Sequence, residues 1–390
     1  MLRFKSAISL SLVLGTLVWI RPVQAQSIIT DPNGTQTIVA PNGDRYDISG
    51  GNLSGDGANL FHSFEQFGLS QNEIANFLSH PDIQYILGRV GGGDPSVING
   101  LIQVSGSNAN LYLMNPAGVI FGPEATLNVP ADFMVTTANE IGLGDGWFSA
   151  VGENDYASLM GDPNALLFST TQPGSIVNAG NLAVGDGQNL SVIGGTVVNT
   201  GTLSAAGDGN VTVAAIPGQR RVLISHPDML LSLELYEVEV EANGLASALL
   251  LSELLTGGNV TVATGVEVDE SGRTWLQGTE VSPGDVAIAG NVAGGQVQLA
   301  AANRVTVVGN SEKLITTHDG EHSAPIVTRF SADGTDAAHL VFLDTTVPDY
   351  TRLLFGAADG TTTVAIPVSE YGIARVTEVL TQVEAVDAVH

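Results

Sequence analysis

Apolar residues alternate with small or polar ones along most of this chain, in short runs separated by Gly-Asn, Gly-Asp and Asp-Gly. A period of two is typical of β-strands with one buried face. The runs also repeat: Ile176–Leu182 recurs as Val197–Leu203, 21 residues further on, and Asn189–Val192 recurs as Asn210–Val213 at the same shift. A period near 20 residues predicts the coils of a parallel β-helix, in which similar residues stack in register.

A second repeat extends the predicted solenoid to about Val308. Its copies begin with Gly and place apolar residues two apart, at Gly209–Ala214, Gly258–Ala263, Gly284–Ala289 and Gly295–Ala300. The Leu- and Glu-rich segment Leu230–Leu255 interrupts the strand pattern. Within it, Leu245–Leu255 predicts either a short amphipathic helix lying on the solenoid or an excursion loop.

The pattern changes after Asn310. Ser, Thr, His, Asp and Gly accumulate over 311–337, which predicts a linker. After the linker we expect strands at His339–Leu343, Thr362–Val368 and Val386–His390, with helices at Pro348–Phe355 and Ile373–Val383. One βαβ unit followed by an unfinished one cannot cover both faces of a parallel sheet. Residues 338–390 are therefore expected to be the start of an α/β domain that is incomplete at His390.

The first 25 residues have the organisation of a secretory signal peptide. Arg3 and Lys5 precede an uncharged, mostly apolar run, and small residues at Val23 and Ala25 predict cleavage between Ala25 and Gln26. The apolar run is too short for a permanent membrane span. The mature chain is therefore expected to be exported and soluble, with an N-terminal anchor as the alternative.

The chain is strongly acidic. Its formal charge is −27, and loss of three basic residues with the leader makes it −30. Such a surface repels nucleic acid and anionic lipid head groups. The chain also contains no cysteine. A chain of this length can bury a large core without disulfides, and their absence would also suit threading through a second membrane.

A turn at residues 115–118 carries the first functional hypothesis. Leu111 and Leu113 before it, and Val119 and Phe121 after it, recur at every second position. Between them the turn consists of Asn115, Pro116, Ala117 and Gly118, of which Gly118 can adopt a positive φ. Taken alone, the motif predicts only a hairpin or a corner of a β-helix.

The turn belongs to a longer ordered series of motifs, which is similar to the N-terminal two-partner secretion domain of filamentous haemagglutinin-like exoproteins, in its cyanobacterial form. The matching residues are Tyr46–Gly51, Asn59–Phe64, Phe67, Arg89–Ser96, Ile98, Gly100, Asn110–Gly122 and Leu127–Val129. On this resemblance residues 26–255 form the secretion domain and 256–310 continue its β-helix. The fold class is then all-β, a right-handed parallel β-helix with an N-terminal cap, followed by the α/β piece.

The resemblance implies a route of export. The Sec translocase carries the chain into the periplasm, and a dedicated outer-membrane barrel recognises it through periplasmic docking repeats and threads it outward. The secretion motif is Asn115, Pro116, Ala117, Gly118 and Val119. Family members are adhesins, haemolysins or contact-dependent toxins, so this chain is expected to be a secreted or cell-surface adhesin with an unknown ligand. A second family hallmark, Asn-Pro-Asn-Leu, is missing upstream, and Asn108–Leu111 matches it only in part.

The C-terminal piece is similar to the beginning of a domain of unknown function found in very large cyanobacterial surface proteins. The residues that carry this resemblance are His339–Asp344, Val347, Asp349–Tyr350, Leu353–Leu354, Gly372–Ile373, Val376–Leu380 and Val386–His390.

No residues form a recognised catalytic spacing, and no cofactor or metal is expected. His318 and His322 with two nearby carboxylates are more consistent with a flexible turn than with a metal site. Asp56, Asp186 and Asp208 precede Gly and are expected to stabilise turns, with Ca²⁺ binding at the last two as a minor alternative.

His62 is more consistent with a packed histidine than with a ligand. Its neighbours Phe61, Phe64 and Phe67 are expected to cap the N-terminal end of the solenoid together. The leading hypothesis is thus a non-enzymatic exoprotein. A β-helical carbohydrate-active enzyme is the runner-up, and a classical autotransporter would require a C-terminal membrane barrel.

Overall fold

A computed structural model of the protein describes residues 28–216, 218–224, 233–237, 266–268, 274–276 and 281–307. It also describes shorter segments towards the C-terminus: 315–317, 326–329, 339–344, 347, 350–355, 357–358, 360–366, 376 and 388–389. The predicted leader, the cleavage site at Ala25 and Gln26, the segment Leu245–Leu255 and the block Gly258–Ala263 lie outside the described residues.

The chain winds into stacked coils that contribute strands in turn to three sheets. One coil consists of Tyr85–Val90, Ser96–Ile98 and Leu101–Ser105. The next coil lies directly on it in parallel register, with Leu111 opposite Ile86, Val119 opposite Ser96 and Leu127 opposite Ile102. This arrangement confirms the predicted parallel β-helix.

The strands of the three sheets have the following bounds. Sheet 1 contains Ile29–Thr30, Asn52–Leu53, Asn59–Gln66, Tyr85–Val90, Asn110–Met114, Phe133–Thr136, Leu190–Gly194, Val211–Ala215, Val297–Ala301, Ile326–Arg329, His339–Asp344, Thr361–Ile366 and Ala388–Val389. Sheet 2 contains Ser96–Ile98, Val119–Phe121, Ser175–Asn178, Thr196–Asn199, Val286–Ile288 and Val305–Val307. Sheet 3 contains Thr37–Asn42, Arg45–Gly50, Ile74–Leu78, Leu101–Ser105, Thr126–Asn128, Asn181–Asp186, Thr202–Ala206, Asn291–Gly294 and Ile315–Thr317.

The 21-residue repeat is the stacking register of two coils. Ile176 pairs with Val197 in sheet 2, Leu182 with Leu203 in sheet 3, and Val192 with Val213 in sheet 1. Each pair is buried, and burial of such a side chain contributes about 1.5–3 kcal/mol. Residues that stack on each other in these two coils lie 21 positions apart and occupy similar sites. The repeat is visible in the sequence because similar sites select similar residues.

The second repeat also consists of coil strands, although its copies lie in different sheets. Val211 and Val297 are neighbours in sheet 1, whereas Val286 pairs with Val197 in sheet 2. Glycines make the corners between sheets 2 and 3 tight. A Cβ on Gly201 would lie 2.1 Å from the carbonyl oxygen of Gly180, and a Cβ on Gly290 would lie 2.0 Å from that of Gly201.

A fourth, antiparallel sheet covers the outer face of sheet 1. Its strands are Glu140–Leu143, Gly146–Ser149, Pro163–Phe168, Arg220–Ile224 and Leu233–Glu237. A short 3₁₀ helix, Tyr156–Ser158, lies between its second and third strands in the sequence. Between the two sheets a second core forms from residues such as Met114, Met134, Phe148 and Phe168. Strand Asn110–Met114 is consequently buried on both faces. Strands Val266–Val268 and Thr274–Leu276 pair antiparallel in a separate two-stranded sheet.

The N-terminal end is capped by antiparallel strands. Thr37–Asn42 and Arg45–Gly50 form a hairpin, the N-terminal hairpin, and its second strand pairs in parallel with Ile74–Leu78. Phe64 and Phe67 pack inside the solenoid with their ring centroids 5.1 Å apart. Phe61 departs from the expected cluster, because residues 61 and 64 have opposite parity along their strand. Its ring lies 5.0 Å from that of Phe148 in the second core.

Solenoid strands continue past Val308 into the range expected to be a linker. Ile315–Thr317 pairs with Val292–Gly294 in sheet 3, and Ile326–Arg329 pairs with Gln298–Ala301 in sheet 1. Short strands whose composition resembles that of a loop do not reveal this pairing in the sequence.

The C-terminal piece then extends sheet 1. Thr361–Ile366 pairs antiparallel with Ile326–Arg329 and parallel with His339–Asp344, which pairs in turn with Ala388–Val389. Helix Tyr350–Phe355 lies within the predicted helix Pro348–Phe355, and its Leu354 joins the solenoid core. Of the predicted helix Ile373–Val383 only residue 376 is described, as helical.

Candidate functional site

The turn predicted as a secretion motif forms the corner between sheets 1 and 2. It links strand Asn110–Met114 to strand Val119–Phe121. All five residues from Asn115 to Val119 are buried, and Asn115, Ala117 and Val119 expose no surface at all. The structure thus brings the predicted residues together, but inside the solenoid.

The side chain of Asn115 fixes this corner through three hydrogen bonds. Its Nδ2 donates to the carbonyl oxygen of Asp94 and to Ser96 Oγ, both at 3.0 Å. Its Oδ1 accepts from the backbone N–H of Ala117 at 3.0 Å. Asn115 therefore closes its own turn and binds the preceding coil with the same amide group, which requires both a donor and an acceptor.

Backbone bonds and packing complete the corner. The Gly118 N–H donates to the Asn115 carbonyl at 3.1 Å, and Asn115 N–H donates to Thr136 of the next coil at 3.0 Å. Gly118 has a φ of 122°, a conformation that favours glycine. A Cβ on Gly174 would lie 2.4 Å from the Pro116 carbonyl oxygen, so a later coil packs directly on the turn. The corner is consequently enclosed by its neighbours on both sides.

Arg89, one coil before the turn, is a structural residue to which the sequence assigned no role. Its side chain is 3% exposed. Nε donates to Ser63 Oγ at 2.6 Å, and Nη1 donates to the carbonyl oxygens of Ser149 and Gly152, both at 2.8 Å. Nη2 lies 3.4 Å from Asp31 Oδ2. Arg89 thus joins three parts of the fold: the N-terminal strand Ile29–Thr30 with the adjacent Asp31, the first coil with its strand Asn59–Gln66, and the end of the fourth sheet.

An open cleft of about 300 Å³ lies beside this junction. It is lined by residues of the N-terminal strand, the first coil and the end of the fourth sheet, including Asp31, Phe64, Glu65, Gly91 and Val151. One feature of the sequence could have pointed to the role of Arg89: it is a basic residue in the Gly-rich block Arg89–Ser96 of a strongly acidic chain.

The remaining candidates for chemistry have structural surroundings. Asp56 Oδ1 accepts hydrogen bonds from Ser54 Oγ and from the Ala58 N–H at 3.1 Å, and the bond from Ser54 lowers the pKa of Asp56. This agrees with the expected turn role. Asp186 and Asp208 are exposed. His318 and His322 lie outside the described residues.

Metal clusters and membrane-spanning helices are both missing from the described part of the chain. No group of three or more His, Asp or Glu side chains there is arranged to hold a metal ion. Among the helices described, none is long and apolar enough to cross a membrane.

The buried tyrosines and Glu140 have shifted pKa values that follow from burial. Desolvation raises the pKa of Tyr85 to about 12, and it raises that of Tyr112 further. Burial also raises the pKa of Glu140 on the fourth sheet.

Comparison with known proteins gives two family matches. The model of the TPS secretion domain matches residues 25–243, more than half of the chain. The model of a domain of unknown function, DUF4347, matches residues 340–390. No curated protein matches the chain.

Two solved secretion domains are similar to this chain. The secretion domain of HMW1 from Haemophilus influenzae is 17% identical, with 82% of this chain and 70% of that chain covered and a TM-score of 0.41. The filamentous hemagglutinin secretion domain is 14% identical, with 75% and 97% covered and a TM-score of 0.40.

Proposed function

Because this chain belongs to the TPS secretion domain family, we propose that residues 26–255 are the export address of a cell-surface exoprotein. Two-partner secretion exports a protein through the outer membrane with the help of a partner transporter in that membrane. Export by such a partner follows from membership of the family, and the resemblance found in the N-terminal motifs is confirmed. The match over residues 25–243 is the observation that carries the proposal.

The finer steps of the route extend this proposal. The leader directs the chain to the Sec translocase and is removed between Ala25 and Gln26. The mature chain crosses the periplasm unfolded, and docking repeats of the outer-membrane barrel bind its N-terminal part. Outside, the coils stack on one another. The absence of cysteine from the sequence is compatible with such threading. Residues 256–310 continue the solenoid, and 338–390 begin an α/β piece whose strands extend sheet 1.

We further propose that the pentapeptide Asn115–Val119 contributes to export by fixing the corner after threading. Burial of all five residues supports this, since a partner cannot reach them in the folded solenoid. If the transporter instead binds the pentapeptide in the unfolded chain, Asn115→Ala would weaken binding of urea-unfolded chain to the docking repeats. We expect that binding to be unchanged and refolding to be impaired.

Export from cells tests the function as a whole. Deleting residues 26–138, or removing the partner barrel, should leave the chain in the periplasm. A chain that ends before His339 keeps the whole TPS match and serves as the matched control, which should still reach the medium or the cell surface. Secretion of the 26–138 deletion at the control level would contradict the proposal.

We propose that the exported protein is an adhesin without enzymatic activity, in keeping with its membership of the TPS family. The rival is a β-helical carbohydrate-active enzyme, since such solenoids also carry lyases and hydrolases. Incubating the purified chain with acidic polysaccharides and measuring the length of the polysaccharide separates the two. Cleavage above that of a heat-unfolded sample would favour the enzyme.

A further inference from the structure

His62 occupies an apolar site inside the first coil. It lies in strand Asn59–Gln66, and its side chain has no exposed surface. Its ring centroid is 6.3 Å from that of Phe64 and 5.7 Å from that of Phe77. On the other side, a Cβ on Gly51 would lie 3.1 Å from His62 Cε1. The imidazole is therefore enclosed between the first coil and the residues at the end of the N-terminal hairpin.

A single hydrogen bond joins the ring to the hairpin. Thr37 Oγ1 lies 3.0 Å from His62 Nδ1 and 2.6 Å from Thr35 Oγ1. Thr35 Oγ1 in turn accepts the backbone N–H of Ser63 at 2.8 Å. His62 Nε2 is buried without a hydrogen-bond partner. The hairpin thus docks on the first coil through a polar network that ends at an unpartnered ring nitrogen.

Protonation of this ring is unfavourable while the hairpin is docked. The imidazolium carries an N–H on both nitrogens, and the one on Nε2 would face no acceptor in an apolar site. Burial accordingly holds the pKa of His62 at about 3, well below its usual 6.5. A neutral ring avoids most of this cost.

No neighbouring charge in the described part of the chain offsets that cost, because the charged groups on the surrounding elements are engaged elsewhere. Glu65 on the same strand and Asp44 of the hairpin turn are exposed. Arg89 on the adjacent strand donates hydrogen bonds to Ser63, Ser149 and Gly152, and Asp31 lies beside it. In the hairpin, Arg45 pairs with Asp47, and Tyr46 donates to Glu73.

We propose that His62 is a proton-sensitive latch, so that the N-terminal hairpin stays docked on the first coil while the ring is neutral and is released in acid. The direction follows from linkage. The folded pKa lies below the unfolded value of 6.5, so the docked state is fully stable above about pH 6.5 and loses stability as the pH falls towards 3. The proposed latch does not depend on the route by which the chain is exported.

Hydrogen exchange measured by mass spectrometry on the full chain tests the latch between pH 7.5 and 5. After correction for intrinsic exchange, protection of residues 37–50 should fall about tenfold for each pH unit below 6.5. Strand Leu190–Gly194 should show no such loss. In His62→Gln, whose side chain does not titrate, the hairpin profile should be flat. In the control His80→Gln, which removes an exposed histidine, the slope should persist.

Three results would overturn the proposal: a flat profile in the unaltered chain, an equal slope in His62→Gln, or simultaneous loss at Leu190–Gly194. If His62→Gln does not fold, the ¹³Cε1 resonances of the unaltered chain decide the question. The His62 resonance should stay constant between pH 7.5 and 5 as long as the hairpin is docked. A docked His62 that titrates near 6.5 would refute the latch.

Discussion

Replacing Asn115 by Asp tests whether the amide is required by the geometry of the corner. The new carboxylate keeps the acceptor for the Ala117 N–H and loses both donors of Nδ2. Ser96 can rotate its hydroxyl to donate instead. The Asp94 carbonyl oxygen has no hydrogen to donate. It would lie about 3.0 Å from a negatively charged oxygen in a site without solvent exposure.

The expected cost depends on pH. Burial next to a carbonyl oxygen raises the folded-state pKa of the new carboxyl above its unfolded value of about 3.9. Below pH 3.9 the acid is neutral in both states, and the loss is that of one hydrogen bond, about 1 kcal/mol. As the pH rises through the folded pKa the cost grows, to about 3–5 kcal/mol at pH 7 for an uncompensated buried charge.

Urea unfolding followed by circular dichroism measures this difference below pH 3.9 and at pH 7. Asn128→Asp adds the same charge at an exposed position of sheet 3 and is the matched control, with an expected change below about 0.5 kcal/mol. Each variant is compared with the unaltered chain at the same pH. If Asn115→Asp costs no more than Asn128→Asp at pH 7, the corner does not depend on the amide and the reasoning fails.

Three further predictions concern stability and ionisation elsewhere in the fold. Arg89→Met should lower the free energy of unfolding in urea by about 3–5 kcal/mol, because its hydrogen-bond acceptors lose a buried donor. The control Arg45→Met, which removes a surface ion pair, should lower it by about 0–1 kcal/mol. Equal losses would contradict the role of Arg89 as a junction. Gly201→Ala should cost about 1–3 kcal/mol through the clash with the Gly180 carbonyl, while Gly185→Ala, whose nearest atom is 3.9 Å away, should be tolerated. In an absorbance titration of the folded chain, the phenol of Tyr85 should lose its proton only near pH 12. Formation of its phenolate near pH 10 without unfolding would contradict its burial.

Parts of the fold that repeat can be predicted from the sequence, because stacking converts a spacing along the chain into a register between strands. The 21-residue shift by itself predicts that Ile176 lies opposite Val197, and the two residues are paired. The fourth sheet does not repeat. Its strands come from separate segments, such as Pro163–Phe168 and Arg220–Ile224, and no periodicity relates them. The partners of Arg89 are likewise up to 63 residues away in the sequence.

The position of Phe61 shows a different limit. Opposite parity to Phe64 already indicated that the two rings lie on opposite faces of one strand. The expectation of one cap placed all three rings at the N-terminal end of the solenoid. The outer face of sheet 1 is covered by the fourth sheet, where Phe61 contacts Phe148 and Tyr156. Side-chain direction was thus readable locally, whereas the layer on the outer face depended on non-repeating strands.

The residues of the predicted secretion motif can be explained by local geometry. At position 115 one side chain must donate to two oxygen acceptors and also accept a hydrogen bond from the Ala117 N–H. A primary amide supplies both functions. Position 118 has a φ of 122°, which favours glycine. The residues that make the motif recognisable are therefore those that the corner needs in order to stack. Because all five residues are buried in the folded solenoid, a partner can reach them only in the unfolded chain.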